Sequence, residues 1–162
     1  MKLTLRYEGD PILRAKATPV REITPRVRRL VQAMFEVMYA ARGIGLAAPQ
    51  VGHSLRIIVL DLQDKGFPPC ALINPVIIQQ EGTQLSEEGC LSCPGLTARV
   101  ERAARVVVEY LTLDGATRQI VGEKLLAAAL QHEIDHLDGI LFIDRLSPTE
   151  RVKVERQRQR VL

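Results

Sequence analysis

The chain has 162 residues, of which 46% are hydrophobic and 25% charged, with a net charge of +3 and three cysteines. That length and balance suit a single compact enzyme domain over 1–162, and exclude a linker-divided chain, a repeat array or a low-complexity segment. No apolar run is long enough to span a membrane, so no membrane association is expected.

The amino end, Lys2-Leu3-Thr4-Leu5, has no signal-like character. An odd number of cysteines fits a reducing cytosol, which makes the cytoplasm the expected location. A processed organellar protein that has lost a transit peptide stays open. Thr24 is placed to cap a helix with Pro25 at its first position, and Val27, Leu30, Val31, Met34 and Met38 follow at helical spacing, so this helix is amphipathic. Gly43 comes where that helix should stop and is a candidate C-cap. Gly45 has a different use, since a glycine lets an extended peptide backbone approach and pair closely. His53, after Gly52, belongs to a turn and is expected to be solvated.

Residues 56–62, 71–79, 100–113 and 118–121 are rich in branched side chains and predict strands, with Asp114-Gly115 as the hairpin turn between the last two. Cys70, after Pro68-Pro69, is expected to be a small buried apolar residue. Ser147-Pro148-Thr149-Glu150 predicts a capping box opening a helix over 147–162. From Arg145 to Leu162 there are six basic and two acidic residues, so this helix should project as a positive appendage. The fold class is α+β, with antiparallel strands packed around a central metal-binding helix, an N-terminal amphipathic helix and a C-terminal helix. A monomer is expected.

The central helix carries His132-Glu133-Ile134-Asp135-His136. Two imidazoles four residues apart on a helix point the same way and can grip one ion, while Glu133 can take a proton from water bound there. Such residues can also form an ordinary solvated helix face. The flanks argue otherwise: Leu125 to Leu130 precede the motif and Leu137, Ile140, Leu141 and Phe142 follow it, so the helix is mostly buried. Two histidines and a carboxylate buried without a partner would cost several kcal/mol, which a shared ion offsets.

Catalytic sites of this kind use three protein ligands. A metzincin needs a third histidine where this chain has Phe142. A thermolysin-like protease could use Glu155, but Arg151, Lys153, Arg156, Arg158 and Arg160 surround it. Cys90, within Glu88-Gly89-Cys90-Leu91-Ser92-Cys93-Pro94-Gly95, is the better choice. Cys93 then raises two alternatives: a redox pair with Cys90, or a closed structural zinc site that leaves no position for water. Against the second, an extended chain should point the two thiols to opposite sides.

Glu88-Gly89-Cys90-Leu91-Ser92, Gln131-His132-Glu133-Ile134-Asp135-His136 and Gly43-Ile44-Gly45-Leu46-Ala47-Ala48-Pro49-Gln50 resemble, in order, the three motifs of the peptide deformylase family, and Leu5 to Arg14 is similar to the family's opening. The resemblance implies removal of the formyl group from the initiator methionine of nascent polypeptides. Cys90, His132 and His136 would hold the ion, Glu133 would be general base and acid, and the Gln50 amide and Leu91 N–H would face the developing oxyanion. The ion implied is ferrous iron, with zinc or nickel able to replace it. Ile44, Gly45 and Gly89 would bind substrate. Leu125, Ala128 and Ala129 lie seven, four and three residues before His132 on its own helix face, and should floor a pocket for the methionine side chain unless they serve only helix packing. Cys93 departs from the valine or isoleucine common in the family. A ribosome-docking role for the C-terminal helix is also implied.

Overall fold

The computed structural model describes residues 1–64 and 66–161. Helix α1 (Pro25–Ala40) is followed by β1 (Gly45–Ala47), β2 (Ile57–Leu60), β3 (Cys70–Glu81), β4 (Gln84–Cys90), β5 (Cys93–Arg102), β6 (Arg105–Leu111) and β7 (Thr117–Glu123). Then come α2 (Lys124–Leu137) and α3 (Pro148–Val161). Five strands form one antiparallel sheet in the order β1-β2-β3-β6-β7, and β4 pairs only with β5 in a second, two-stranded sheet. The α+β expectation holds.

Strand β2 shows why the large sheet needs a helix on each face. Its four residues are all apolar and all buried. Ile57 and Val59 pack with Leu30, Val31, Met34 and Met38 of α1, whereas Ile58 and Leu60 pack with Ala127, Leu130, Ile134 and Leu137 of α2. Successive side chains point to opposite faces, so an unbroken apolar run is what a strand between two helices requires.

Helix α1 starts as predicted, with Thr24 Oγ1 accepting the Val27 N–H at 3.3 Å. Its end differs. The left-handed residue is Arg42, with φ 59°, whose N–H donates to the Tyr39 carbonyl while the Gly43 N–H donates to that of Met38. Gly43 is therefore one residue past the capping position. Its glycine answers a neighbour instead: a Cβ there would lie 2.8 Å from Leu91 Cδ1.

The predicted strand over 100–113 is two strands, because the chain changes sheets at Ala103-Ala104. The Gln131 carboxamide holds the crossing point, accepting the Ala103 N–H at 2.9 Å and donating to the Ala103 carbonyl at 3.0 Å. The turn at Asp114-Gly115 is present: the Gly115 N–H donates to the Thr112 carbonyl, and Gly115 takes φ +83°. Strand β7 then runs into α2 without a loop. A Cβ on Gly122 would meet Leu130 Cδ1 at 2.9 Å, so a glycine there is what lets the helix fold back onto its own strand.

The second sheet buries Leu96, Ala98 and Val100 of β5 against Leu13, Phe142, Leu146 and Val154. Helix α3 lies along this strand, which corrects the expectation of a projecting appendage. Ser147 Oγ accepts the Glu150 N–H, but the Glu150 carboxylate accepts the Arg99 N–H of β5 at 2.9 Å instead of completing a capping box. Gln157 bonds both the N–H and the hydroxyl of Thr97, and Arg158 forms a bidentate pair with Glu8 near the amino end.

Candidate metal centre

Helix α2 delivers both histidines to the junction of the two sheets. It ends in a left-handed turn, with the Gly139 N–H donating to the His136 carbonyl, the Ile140 N–H to that of Asp135, and Gly139 at φ +75°. Cys90 comes from the other side, at the end of β4. Its Sγ lies 3.4 Å from His136 Nε2, and one donor atom from each of Cys90, His132 and His136 falls within 4.8 Å of the others. Cys90 is half-buried and both histidines are buried.

The surroundings suit a divalent ion. His132 Nδ1 lies 2.9 Å from Glu88 Oε1, which orients the ring and leaves Nε2 as the atom available to an ion. Burial works against a charge on His132, but the Glu88 hydrogen bond and the Glu133 and Glu88 charges outweigh it and raise its pKa. Burial, with the positive charges of His132, Arg102 and Arg14, holds His136 well below the usual histidine range, as a neutral ring ready to ligate. The contact with Cys93, then burial and the Glu133 charge, push the Cys90 thiol up, so it needs an ion to give up its proton. Sulfur and imidazole donors fit iron, zinc or nickel better than magnesium or calcium.

Glu133 is buried, and its Oε1 has no hydrogen-bond partner among the described residues. Burial pushes its pKa up to about 7, against the opposing pull of His132. Gly45 gives it room: a Cβ at Gly45 would stand 2.7 Å from Glu133 Oε2 and 3.0 Å from its Cγ. The sequence alone suggests this glycine as an approach for a peptide, whereas the crowding around it comes from the carboxylate.

Gln50 is buried in the turn after β1. Its Oε1 accepts the Ala47 N–H at 2.9 Å, which turns Nε2 towards Ser92 Oγ at 3.1 Å and Cys90 Sγ at 3.6 Å. A cavity of about 390 Å³ opens over these groups, and Ile44, Gly45, Gly89 and Leu91 line it with Gln50, Cys90, His132 and Glu133. Leu125, Ala128 and Ala129 are outside its lining. Leu125 is 54% exposed in the first turn of α2, Ala128 is buried, and Ala129 packs into the core below the large sheet.

Two alternatives are corrected by position. Glu155 lies on α3 with its side chain 64% exposed beside Arg158, away from the histidines, so it is no third ligand. Cys90 and Cys93 are register partners across the Leu91-Ser92 turn, not residues of one extended run, so their thiols face each other. Cys93 is nevertheless outside the group of converging donors.

Sequence reasoning missed what supports the histidine. Arg102, 4% exposed, donates two bonds to Glu88 at 2.8 and 2.9 Å and a third to Asp135 at 2.7 Å, and Arg145 grips Asp135 from the far side. Arg102 continues the inward alternation of Leu96, Ala98 and Val100 on β5. An arginine at the apolar phase of an alternating strand was the available signal. Burial opposes a charge on Glu88, but the Arg102 and His132 contacts together bring its pKa down to about 2.

Solved relatives share this fold. The family model of polypeptide deformylase matches residues 2–152. The peptide deformylase of Desulfitobacterium hafniense is 54% identical over 143 residues, 88% of this chain and 93% of its own length. That of Acidobacterium capsulatum is 52% identical over 150 residues, 91% of this chain and 88% of its own length. The crystal structure of the Legionella pneumophila peptide deformylase superposes with a TM-score of 0.91 at 42% identity, covering 99% of this chain and 95% of that one. A Synechococcus elongatus peptide deformylase in complex with actinonin gives 0.91 at 42% identity, covering 97% and 88%. With its motifs meeting at one centre and most of its length shared with these proteins, the chain belongs to the peptide deformylase family.

Proposed function

We propose that this deformylase removes the formyl group from the initiator methionine of nascent polypeptides in the cytosol, as a monomer, with Cys90, His132 and His136 holding one ferrous ion. Zinc or nickel would fit the same three donors. The observation that carries the reading is the convergence of those donors beside a buried carboxylate oxygen that has no hydrogen-bond partner among the described residues.

When bound, the ion supplies Lewis acidity, which lowers the pKa of a water at the site and polarises the formyl carbonyl. Glu133 takes the proton released when water adds to the formyl carbon. With its pKa near 7, it can also return that proton to the departing amine. Gln50 Nε2, fixed in direction by the Ala47 bond, donates to the developing oxyanion together with the Leu91 backbone N–H. Glu88 keeps the His132 ring in place through both events. Ile44, Gly45 and Gly89 align the peptide along the cavity. Leu125, Ala128 and Ala129 lie on α2 outside the cavity lining, so their effect on the methionine side chain would run through the packing of that helix, and Ala128→Ile should shift the preference between formyl-methionyl and bulkier formyl-aminoacyl peptides.

Formate release from formyl-Met-Ala, measured together with bound metal, tests the assignment. Cys90→Ala should lose the ion. Glu133→Ala should keep it and lose at least about a hundredfold in kcat. A Cys90→Ala protein with full metal content would sink the ligand set.

A further inference from the structure

Cys93 has no part in this chemistry, yet the β4–β5 turn sets it against a residue that does. Cys90 and Cys93 are register partners with only Leu91 and Ser92 between them. Directly opposed residues in an antiparallel pair have Cα atoms about 4.5–5.5 Å apart and side chains on one face. Disulfides span Cα separations of about 4.4–6.8 Å. The two thiols are neighbours across the turn, both are free, and both border the cavity over the centre. They differ in access, Cys90 being half-buried and Cys93 2% exposed. Cys70 packs instead beside the core beneath the large sheet.

We infer that Cys90 and Cys93 form a reversible oxidation site for hydrogen peroxide, with Cys90 the thiol that reacts with peroxide and Cys93 the resolving one. The Cys90 sulfur attacks one peroxide oxygen; the O–O bond breaks, an S–O bond forms, and one water leaves. The Cys93 sulfur then attacks the resulting sulfenic acid; an S–S bond forms, the S–O bond breaks, and the hydroxyl leaves as a second water with the Cys93 proton. Two thiols give up two electrons and peroxide takes them. A lone cysteine at position 90 would instead climb to sulfinic and sulfonic acids, which thiols do not reverse. The disulfide deprives the ion of its sulfur donor. That consequence, and the readiness of Cys90 to react first, rest on the reading of Cys90 as a ligand, because its thiol gives up its proton on binding the ion.

The test uses the zinc-loaded protein, so that peroxide reacts with thiols and not with iron. Stepwise hydrogen peroxide is followed by intact mass, peptide mapping, free-thiol count and bound zinc. The expected result is loss of the mass of two hydrogens, a cross-link mapped to Cys90 and Cys93 with Cys70 still reduced, zinc released in proportion, and recovery with dithiothreitol plus zinc. In Cys93→Val, Cys90 should gain oxygens and resist dithiothreitol. Oxygen adducts on Cys90 of the unaltered protein with Cys93 left free would overturn the inference, and so would equal recovery in Cys93→Val. Should that variant fail to fold, mapping of the unaltered protein decides alone. A disulfide formed with zinc retained would confirm the oxidation site and overturn the ligand assignment, so the two failures are told apart.

Discussion

Gly45 and Glu133 behave as one unit. The carboxylate has space only because its neighbour lacks a Cβ, and burial raises its pKa to about 7. Gly45→Ala should push the carboxylate off its position without touching the ion. We expect metal content unchanged and kcat reduced by about one to two orders of magnitude, since small misplacements of a reacting group cost that much. Steady-state rates beside metal analysis would check it, and a wild-type kcat would refute the crowding argument. The His-Glu-x-x-His spacing made the imidazoles and the base legible in sequence, because a helix fixes which residues share a face. The reason for Gly45 was not legible, since the atom that excludes a side chain comes from another element.

Strand β5 and helix α2 are joined by charge. Arg102 neutralises Glu88 and Asp135 inside the protein, and through Glu88 it steadies His132. Removing it as Arg102→Ala leaves two buried carboxylates with a partner lost, a change worth about 3–5 kcal/mol. The same pairing predicts acid sensitivity. Glu88 ionises near 2 in the folded chain against 4.5 when free, so its contribution is fully present above about pH 4.5 and is lost as pH falls through 2. The loss should be on the order of 3 kcal/mol. Denaturant unfolding of the metal-free protein between pH 5.5 and about 2 would show it as a fall that is smaller in Arg102→Ala, where only the His132 contact remains; a flat profile would count against the pairing. Helix α1 was readable from its cap and spacing. Strand β4, Gln84–Cys90, was not, because five of its seven residues are polar or glycine and only pairing with β5 makes it a strand. Nor could the run over 100–113 reveal its own division, since the Gln131 carboxamide that marks the break lies on α2.

On the scale of the whole molecule, α3 has two faces. Glu150, Val154, Gln157 and Arg158 meet β5 and the amino end, while Arg151, Val152, Arg156 and Arg160 remain exposed. Composition revealed the basic charge but not that half the helix is built into a core. A truncation at Ser147 should therefore destabilise the fold by several kcal/mol, through loss of the buried Val154 and of the bonds to Thr97, Arg99 and Glu8. Ribosome docking is better tested with Arg151→Glu and Arg156→Glu, which leave the inner face intact. If the outer face binds ribosomal RNA, ribosome pelleting should weaken and its logarithmic salt slope fall by about two. Pelleting unchanged in that double variant would refute docking through this face.

The three donors come from two layers: Cys90 from the small sheet, the histidines from the helix that underlies the large one. An ion held by all three is a rivet between halves that are also joined by the Arg102–Asp135 pair, the His132–Glu88 contact and the Gln50–Ser92 bond. Chelation should lower Tm, with amide exchange rising first in 84–102, and a Tm indifferent to chelators would contradict this. Scarcity of the ion would then cost the cell more than turnover, because the opened hairpin is what a protease can grasp. Supply of one trace element would set how long each copy survives as well as whether it works.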